Sequence, residues 1–126
     1  MFTLKEVSAG TENVVDIIAV HGLGGDYEKT WTVKPTGGHS FNWLKDLLPG
    51  SVPNARIMSF GYNSAVALSR SIGDIKTFAE QLLIKVLQER RTEQQKKRPV
   101  IFICHSLGGS VLKKVFESGT CVLCLF

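Results

Sequence analysis

The apolar positions of this chain fall into two rhythms. Val14 to Val20, "VVDIIAV", is a short and mostly β-branched run stopped by His21-Gly22, and it predicts a buried strand. Ala55 to Tyr62, "ARIMSFGY", alternates well enough for a second strand. Val100 to Cys104, "VIFIC", is continuously apolar, as a strand covered on both faces should be. Between these last two, Ile72, Ile75, Phe78, Ala79, Leu82, Leu83, Val86 and Leu87 recur at helical spacing and form one apolar stripe of a long helix. Ser71 with Asp74 resembles a capping box at its start. Pro99 stops any continuation past the basic residues that follow. A shorter helix is predicted in "FNWLKDLLPG": Phe41, Leu44 and Leu48 share a face, Ser40 can cap it, and Pro49-Gly50 ends it. After "HSLGG", Val111, Leu112, Val115 and Phe116 mark a last helix. Residues 22–40, rich in Gly, Thr and Pro, read as a loop.

Strand, loop, helix, strand, helix, strand, turn and helix in this order imply an α/β fold, a parallel sheet with helices on its faces. Reacting groups in such sheets gather at the carboxyl ends of the strands. Two glycine-rich stretches, His21 to Gly25 and His105 to Gly109, fall at those ends.

Length and composition narrow the picture. At 126 residues, 44% hydrophobic and 21% charged, the chain is one globular domain (1–126) rather than a disordered segment. No apolar run reaches the ~20 residues that cross a bilayer, and the N-terminus carries no secretory signal pattern. Three cysteines, an odd count, suit a reducing compartment better than a disulfide framework. The expected location is therefore intracellular. The net charge of +4 is local: Arg90 to Arg98, "RRTEQQKKR", holds five basic residues and one acid, and the rest of the chain is neutral. That tract reads as a solvated helix end, or as a peripheral contact with anionic membrane. No aromatic residues interleave with it, so nucleic acid is not an expected partner.

"HGLGGDYEKTW", His21 to Trp31, could cradle a phosphate or hold an oxyanion. A phosphate loop ending at Lys29-Thr30 would need glycines where Leu23 and Glu28 stand. The dinucleotide pattern beginning at Gly22 would need glycine at Tyr27. The oxyanion reading depends on "CHSLG", Cys104 to Gly108, which matches the G-x-S-x-G nucleophile elbow with Cys104 in the place of the first glycine. Ser106 would be exposed on a strained strand-to-helix turn, Gly108 and Gly109 would let the helix approach the strand, and the Leu107 amide would face the oxyanion. A second amide should come from an earlier loop, where His21, Gly22, Leu23 and Gly24 lie.

On these residues the chain resembles the α/β-hydrolases of serine esterase and lipase type. "VHGLGGDYEKTW", "ARIMSFGY" and "FICHSLGG" are similar to the serine-active-site-containing protein family and to the hydrolase-like N-terminal domains of fungal NLR-type receptors. The likeness runs from about residue 14 to about 116. It implies the N-terminal portion of an α/β-hydrolase fold, with Ser106 as nucleophile and the amides of Leu107 and of Leu23 or Gly24 as oxyanion hole. His21, Gly22, Cys104, His105, Gly108 and Gly109 would support elbow and loop. It also implies ester or lipid-acyl hydrolysis with no metal and no organic cofactor, and makes mitochondrial or endoplasmic-reticulum membrane association an expectation beside the cytoplasm.

A serine hydroxyl needs a base and an acid, which in this fold follow it in the chain. After Ser106 there is no His or Asp, and the single acid, Glu117, would lie ~16 Å along a continuous helix. His21, His39 and His105 read as structural or loop residues, and Asp26 and Asp46 as surface ones. The apolar end "SGTCVLCLF" (residues 118–126) does not resemble the family, and a zinc site from Cys121, Cys124, Cys104 and His105 is disfavoured by its apolar spacers. The expectation is a C-terminally shortened hydrolase that is inactive alone. The alternatives are a non-catalytic interaction module with a protein partner, and a fragment with an unpaired sheet edge.

Overall fold

The computed structural model describes residues 2–65 and 72–117. Ser71, Cys121, Cys124 and the end 118–126 lie outside the described residues. The α/β expectation holds. A four-stranded sheet runs in the order β1 (Thr3–Ser8), β5 (Ala55–Gly61), β2 (Val15–Val20), β6 (Val100–Cys104). β5, β2 and β6 are parallel, and β1 joins β5 antiparallel. A two-stranded ribbon pairs β3 (Thr32–Val33), within the stretch read as loop, with β4 (Phe41–Asn42), at the start of the segment expected to be a short helix.

The two faces of the sheet carry separate cores. Ile18, Val20, Met58, Phe60 and Tyr62 face helices α3 (Ile72–Glu89) and α5 (Leu107–Glu117), through Phe78, Ala79, Leu82 and Val111. Ile17, Ala19, Ala55 and Ile57 face Trp31 and the short helices α1 (Trp43–Asp46) and α2 (Leu48–Ser51), through Leu44. Strand alternation alone produces this division. β6 forms the sheet's rim among the described residues, and Ile101 there is 46% exposed.

Four sequence expectations are corrected. β1 was not anticipated: Phe2 and Leu4 pack on one core and Val7 on the other, so no single apolar face betrays the strand. The short helix is split, because Asn42 rather than Ser40 caps α1, accepting from the Leu44 and Lys45 amides at 3.1 and 3.2 Å. Pro49-Gly50 does not end the segment but sits inside α2, where proline at the first turn loses no hydrogen bond. The basic tract is not one solvated helix end. α3 stops at Glu89, and Thr92 opens a new helix, α4 (Glu93–Lys97), with a capping box to Gln95.

Charge explains that last break. Asp16, on the central strand, is fully buried, and its carboxylate takes Arg56 at 3.2 Å, Arg90 at 2.9 Å and Arg98 at 2.9 Å. Arg90 also donates to the carbonyls of Lys96 and Arg98, tying α4 beneath the sheet. Two of the tract's five basic residues are thus internal counter-charges, and Arg91, Lys96 and Lys97 remain exposed.

Candidate functional site

β6 leads directly into a tight reversal. The His105 amide donates to the Val20 carbonyl at 3.0 Å, extending the sheet one step. The Gly108 and Gly109 amides then donate to the carbonyls of His105 and Ser106, both at 3.0 Å, and α5 begins. Ser106, exposed at the apex, has φ +53°. A left-handed backbone at a non-glycine residue costs about 1–2 kcal/mol and persists only where the surroundings enforce it. The surroundings here include Gly108, which packs so tightly on the Val20 carbonyl that a Cβ there would overlap it.

The first glycine-rich stretch meets this elbow. Gly25 donates to the Gly22 carbonyl at 3.1 Å, closing a turn in which Gly24, at φ +70°, holds the position a type II turn reserves for glycine. A Cβ on Gly22 would stand 2.7 Å from the His105 carbonyl oxygen and 2.8 Å from Ser106 Cβ. The amides of Leu23, Gly24 and Leu107 donate to no group among the described residues. Asp26 follows, half-buried rather than a plain surface residue. Its Oδ1 accepts from the Glu28 and Lys29 amides at 2.8 and 3.0 Å. Burial opposes the Asp26 charge, but those two amides outweigh it and hold the carboxyl below its ordinary value.

His21 is fully buried behind the loop. Its Nδ1 lies 2.9 Å from the Gly22 carbonyl and its Nε2 accepts the Tyr62 amide at 3.2 Å, which assigns the neutral Nδ1–H tautomer. Tyr62 stacks on the ring at 4.2 Å and returns its hydroxyl to the His21 carbonyl at 2.7 Å. Burial pushes the Tyr62 phenol up to about 12. Both His21 nitrogens are spent on backbone, so His21 has no lone pair to offer Ser106. Sequence reasoning did not find Tyr62 as its partner. The two are 41 positions apart, and the only signal was an aromatic at the end of a strand.

Burial also pushes the His21 pKa below its ordinary value near 6.5, with the Gly22 hydrogen bond opposing. Protonation would set an Nε2–H against the Tyr62 amide, two donors face to face. The unfolded chain therefore binds the proton more readily than the folded one. Stability from the neutral ring is complete above pH 6.5 and falls as pH drops from there through the folded-state value, by at most about 1.4 kcal/mol per pH unit. Thermal melts between pH 7.5 and 5 should show this loss, and the His21 Hε1 resonance should titrate below 6.5. A His21 resonance titrating at or above 6.5 would contradict it.

No histidine or carboxylate hydrogen-bonds Ser106 among the described residues. His105 and His39 are exposed, and Glu117 pairs with Lys113 and Lys114 at 4.0 and 3.6 Å. Cys104, in the elbow's first position, is half-buried and packs against the α3–α5 core. Among the described residues no cluster of three metal-ligating side chains occurs, and no helix is long and apolar enough to cross a membrane.

Residues 12–117 match the family model described as "Putative serine esterase (DUF676)". Protein SERAC1 of Danio rerio is 28% identical over 115 residues, an alignment covering 79% of this chain and 18% of that protein. The chain thus spans less than a fifth of that relative's length. No solved structure matches.

Proposed function

The chain belongs to the serine esterase family DUF676, and from that premise we propose that it carries the nucleophile and oxyanion elements of an α/β-hydrolase acting on carboxylic or lipid-acyl esters. The observation that carries this reading is Ser106, held at φ +53° between β6 and α5 and pressed against Gly22 of the other glycine-rich loop. Ser106 Oγ attacks the ester carbon, its proton passes to a base, and the carbonyl oxygen becomes an oxyanion received by the Leu107 amide and that of Leu23 or Gly24. Collapse of this intermediate releases the alcohol and leaves an acyl-serine for water to hydrolyse. The base is supplied from outside the described residues, because His21 is committed to backbone and His105 and His39 make no bond to Ser106. The exposed Arg91, Lys96 and Lys97 remain as the only part of the basic tract able to meet an anionic surface.

A boronic acid tests the nucleophile without requiring the base. Its trigonal boron accepts Ser106 Oγ, the hydroxyl proton leaves to solvent, and the tetrahedral boronate places an oxygen where the oxyanion would sit. The ¹¹B resonance should move to its tetrahedral position with this chain and stay trigonal with Ser106→Ala. Ester turnover by the chain alone should be negligible and equal in the two, since without the triad only the oxyanion hole and binding contribute, about 10³–10⁴ over water at most. An equal adduct in Ser106→Ala, or none in a chain whose amide spectrum is dispersed, rejects the nucleophile and favours an interaction module.

A further inference from the structure

We propose that the groove between α3, α5 and the start of β6 is a binding site for a fatty carboxylate, its apolar tail between the helices and its head on Lys96. The groove, about 350 Å³, is of a size that small ligands occupy. Leu83 and Leu87 of α3, Phe102 of β6, and Val115 and Phe116 of α5 line it, and Leu87 and Phe116 stay exposed at its mouth. It is separate from the nucleophile. Val100, at the opposite end of β6 from the elbow, also lines it, and Phe116 stands about 14 Å along α5 from Leu107. The inference therefore does not rest on the reading of Ser106.

The charged residues of its wall stand together. Arg90 donates to the Lys96 carbonyl at 3.0 Å, so the two mark one end of the groove. Arg90 is buried and committed to Asp16, and it contributes charge rather than a contact. Positive charge is in surplus there: Arg56, Arg90 and Arg98 are set against Asp16 and the half-exposed Glu89, three cations to two anions. Lys96 supplies the contact. Its Nζ lies 3.3 Å from Glu93 in a pair exposed on both sides, and such a pair is too weak to keep the ammonium from a second carboxylate.

The carbonyl ends of helices ordinarily repel an anion. At α3 they are covered: the carbonyls of Leu87, Gln88 and Glu89 accept from the Arg90 amide, Arg91 Nε and the Arg56 guanidinium at 3.3, 2.9 and 2.9 Å. At the end of α5, Glu117 is paired with Lys113 and Lys114. An apolar groove bounded at one end by surplus positive charge fits an amphipathic anion, whose tail gains burial and whose head gains a charge-assisted hydrogen bond. A neutral alcohol of the same length would gain only the first, and a short carboxylate only the second.

The test follows methyl and amide chemical shifts of the 126-residue chain as decanoate, decanol and butyrate are titrated in, all below micellar concentrations. Decanoate should move the Leu83, Leu87 and Val115 resonances and bind about tenfold more tightly than decanol, the scale of one hydrogen bond to a charged group. Butyrate should not saturate. Lys96→Gln should erase the difference between acid and alcohol. Lys97→Gln, one position on and not lining the groove, should keep it, and Ser106→Ala should bind decanoate unchanged. Both lysines are exposed, so neither change endangers the fold. Equal affinities for acid and alcohol, or equal losses from the two lysine variants, would mean unspecific adsorption and overturn the proposal. Shifts centred on Leu23 and Leu107 would overturn it too, by placing the ligand at the nucleophile. So would contacts from residues 121–126 to Leu87 that decanoate does not displace, which would make the chain's own end the occupant.

Discussion

Asp16→Asn should cost this protein about 3–5 kcal/mol and lower its melting temperature by roughly 10–20 °C. The substitution is nearly isosteric, so packing is retained and the loss is electrostatic. Arg56 and Arg90 flank a carboxylate that is fully buried, Arg98 completes the set, and the Arg98 Nε has no partner among the described residues. Removing the buried negative charge leaves the guanidinium groups facing one another, with only the half-exposed Glu89 carboxylate, 3.6 Å from Arg56, against them. Burial already pushes the Arg90 pKa down, with Asp16 opposing it. The exposed pair Lys76–Glu80, at 4.0 Å, is the control: Glu80→Ala should change stability by less than about 0.5 kcal/mol. Chemical unfolding of the variants decides the matter, and a loss under about 1 kcal/mol for Asp16→Asn would reduce the cluster to decoration. Combining it with Arg90→Met should cost less than the two added, because the second change removes a charge the first left stranded.

That cluster also marks where sequence reading ran out. "VVDIIAV" was legible as a buried strand because six of its seven residues are apolar. The seventh, Asp16, was the signal: a carboxylate inside a covered strand demands a counter-charge. Its partners lie 40, 74 and 82 positions away, and no local pattern announces such distances. So Arg90 and Arg98 looked like any other members of a solvated tract. The same limit hid β1, whose residues divide between two cores, and the β3–β4 ribbon, too short to show a period. What is local was read well. The stripe of α3, the apolar run of β6 and the small residues around Ser106 each follow from geometry within a few positions. The juxtaposition of the two glycine-rich stretches was inferable because both terminate parallel strands that share an edge, Val20 pairing with Cys104.

Gly22→Ala should cut the affinity for a boronic acid by about 10²-fold while leaving the fold intact. The added methyl would sit 2.7 Å from the His105 carbonyl oxygen and 2.8 Å from Ser106 Cβ, closer than real Cβ contacts come. Neither neighbour is a flexible side-chain end, so the loop or the elbow must shift. A displacement near 1 Å between nucleophile and oxyanion donors is enough for a loss of that order. Gly22 is not at positive φ, so the methyl strains no backbone of its own and the two cores stay as they are. Gly109→Ala supplies the contrast, because a Cβ there meets nothing within 4 Å, and its adduct should match that of the unaltered chain. If Gly22→Ala binds the boronate as well as the parent, the two glycine-rich stretches touch without cooperating. The oxyanion donors would then have to come from the helix side alone, from Leu107 at the start of α5. If it loses affinity and Gly109→Ala does not, the contact between loop and elbow is itself part of the site, and Gly22 is there because the nucleophile needs the room.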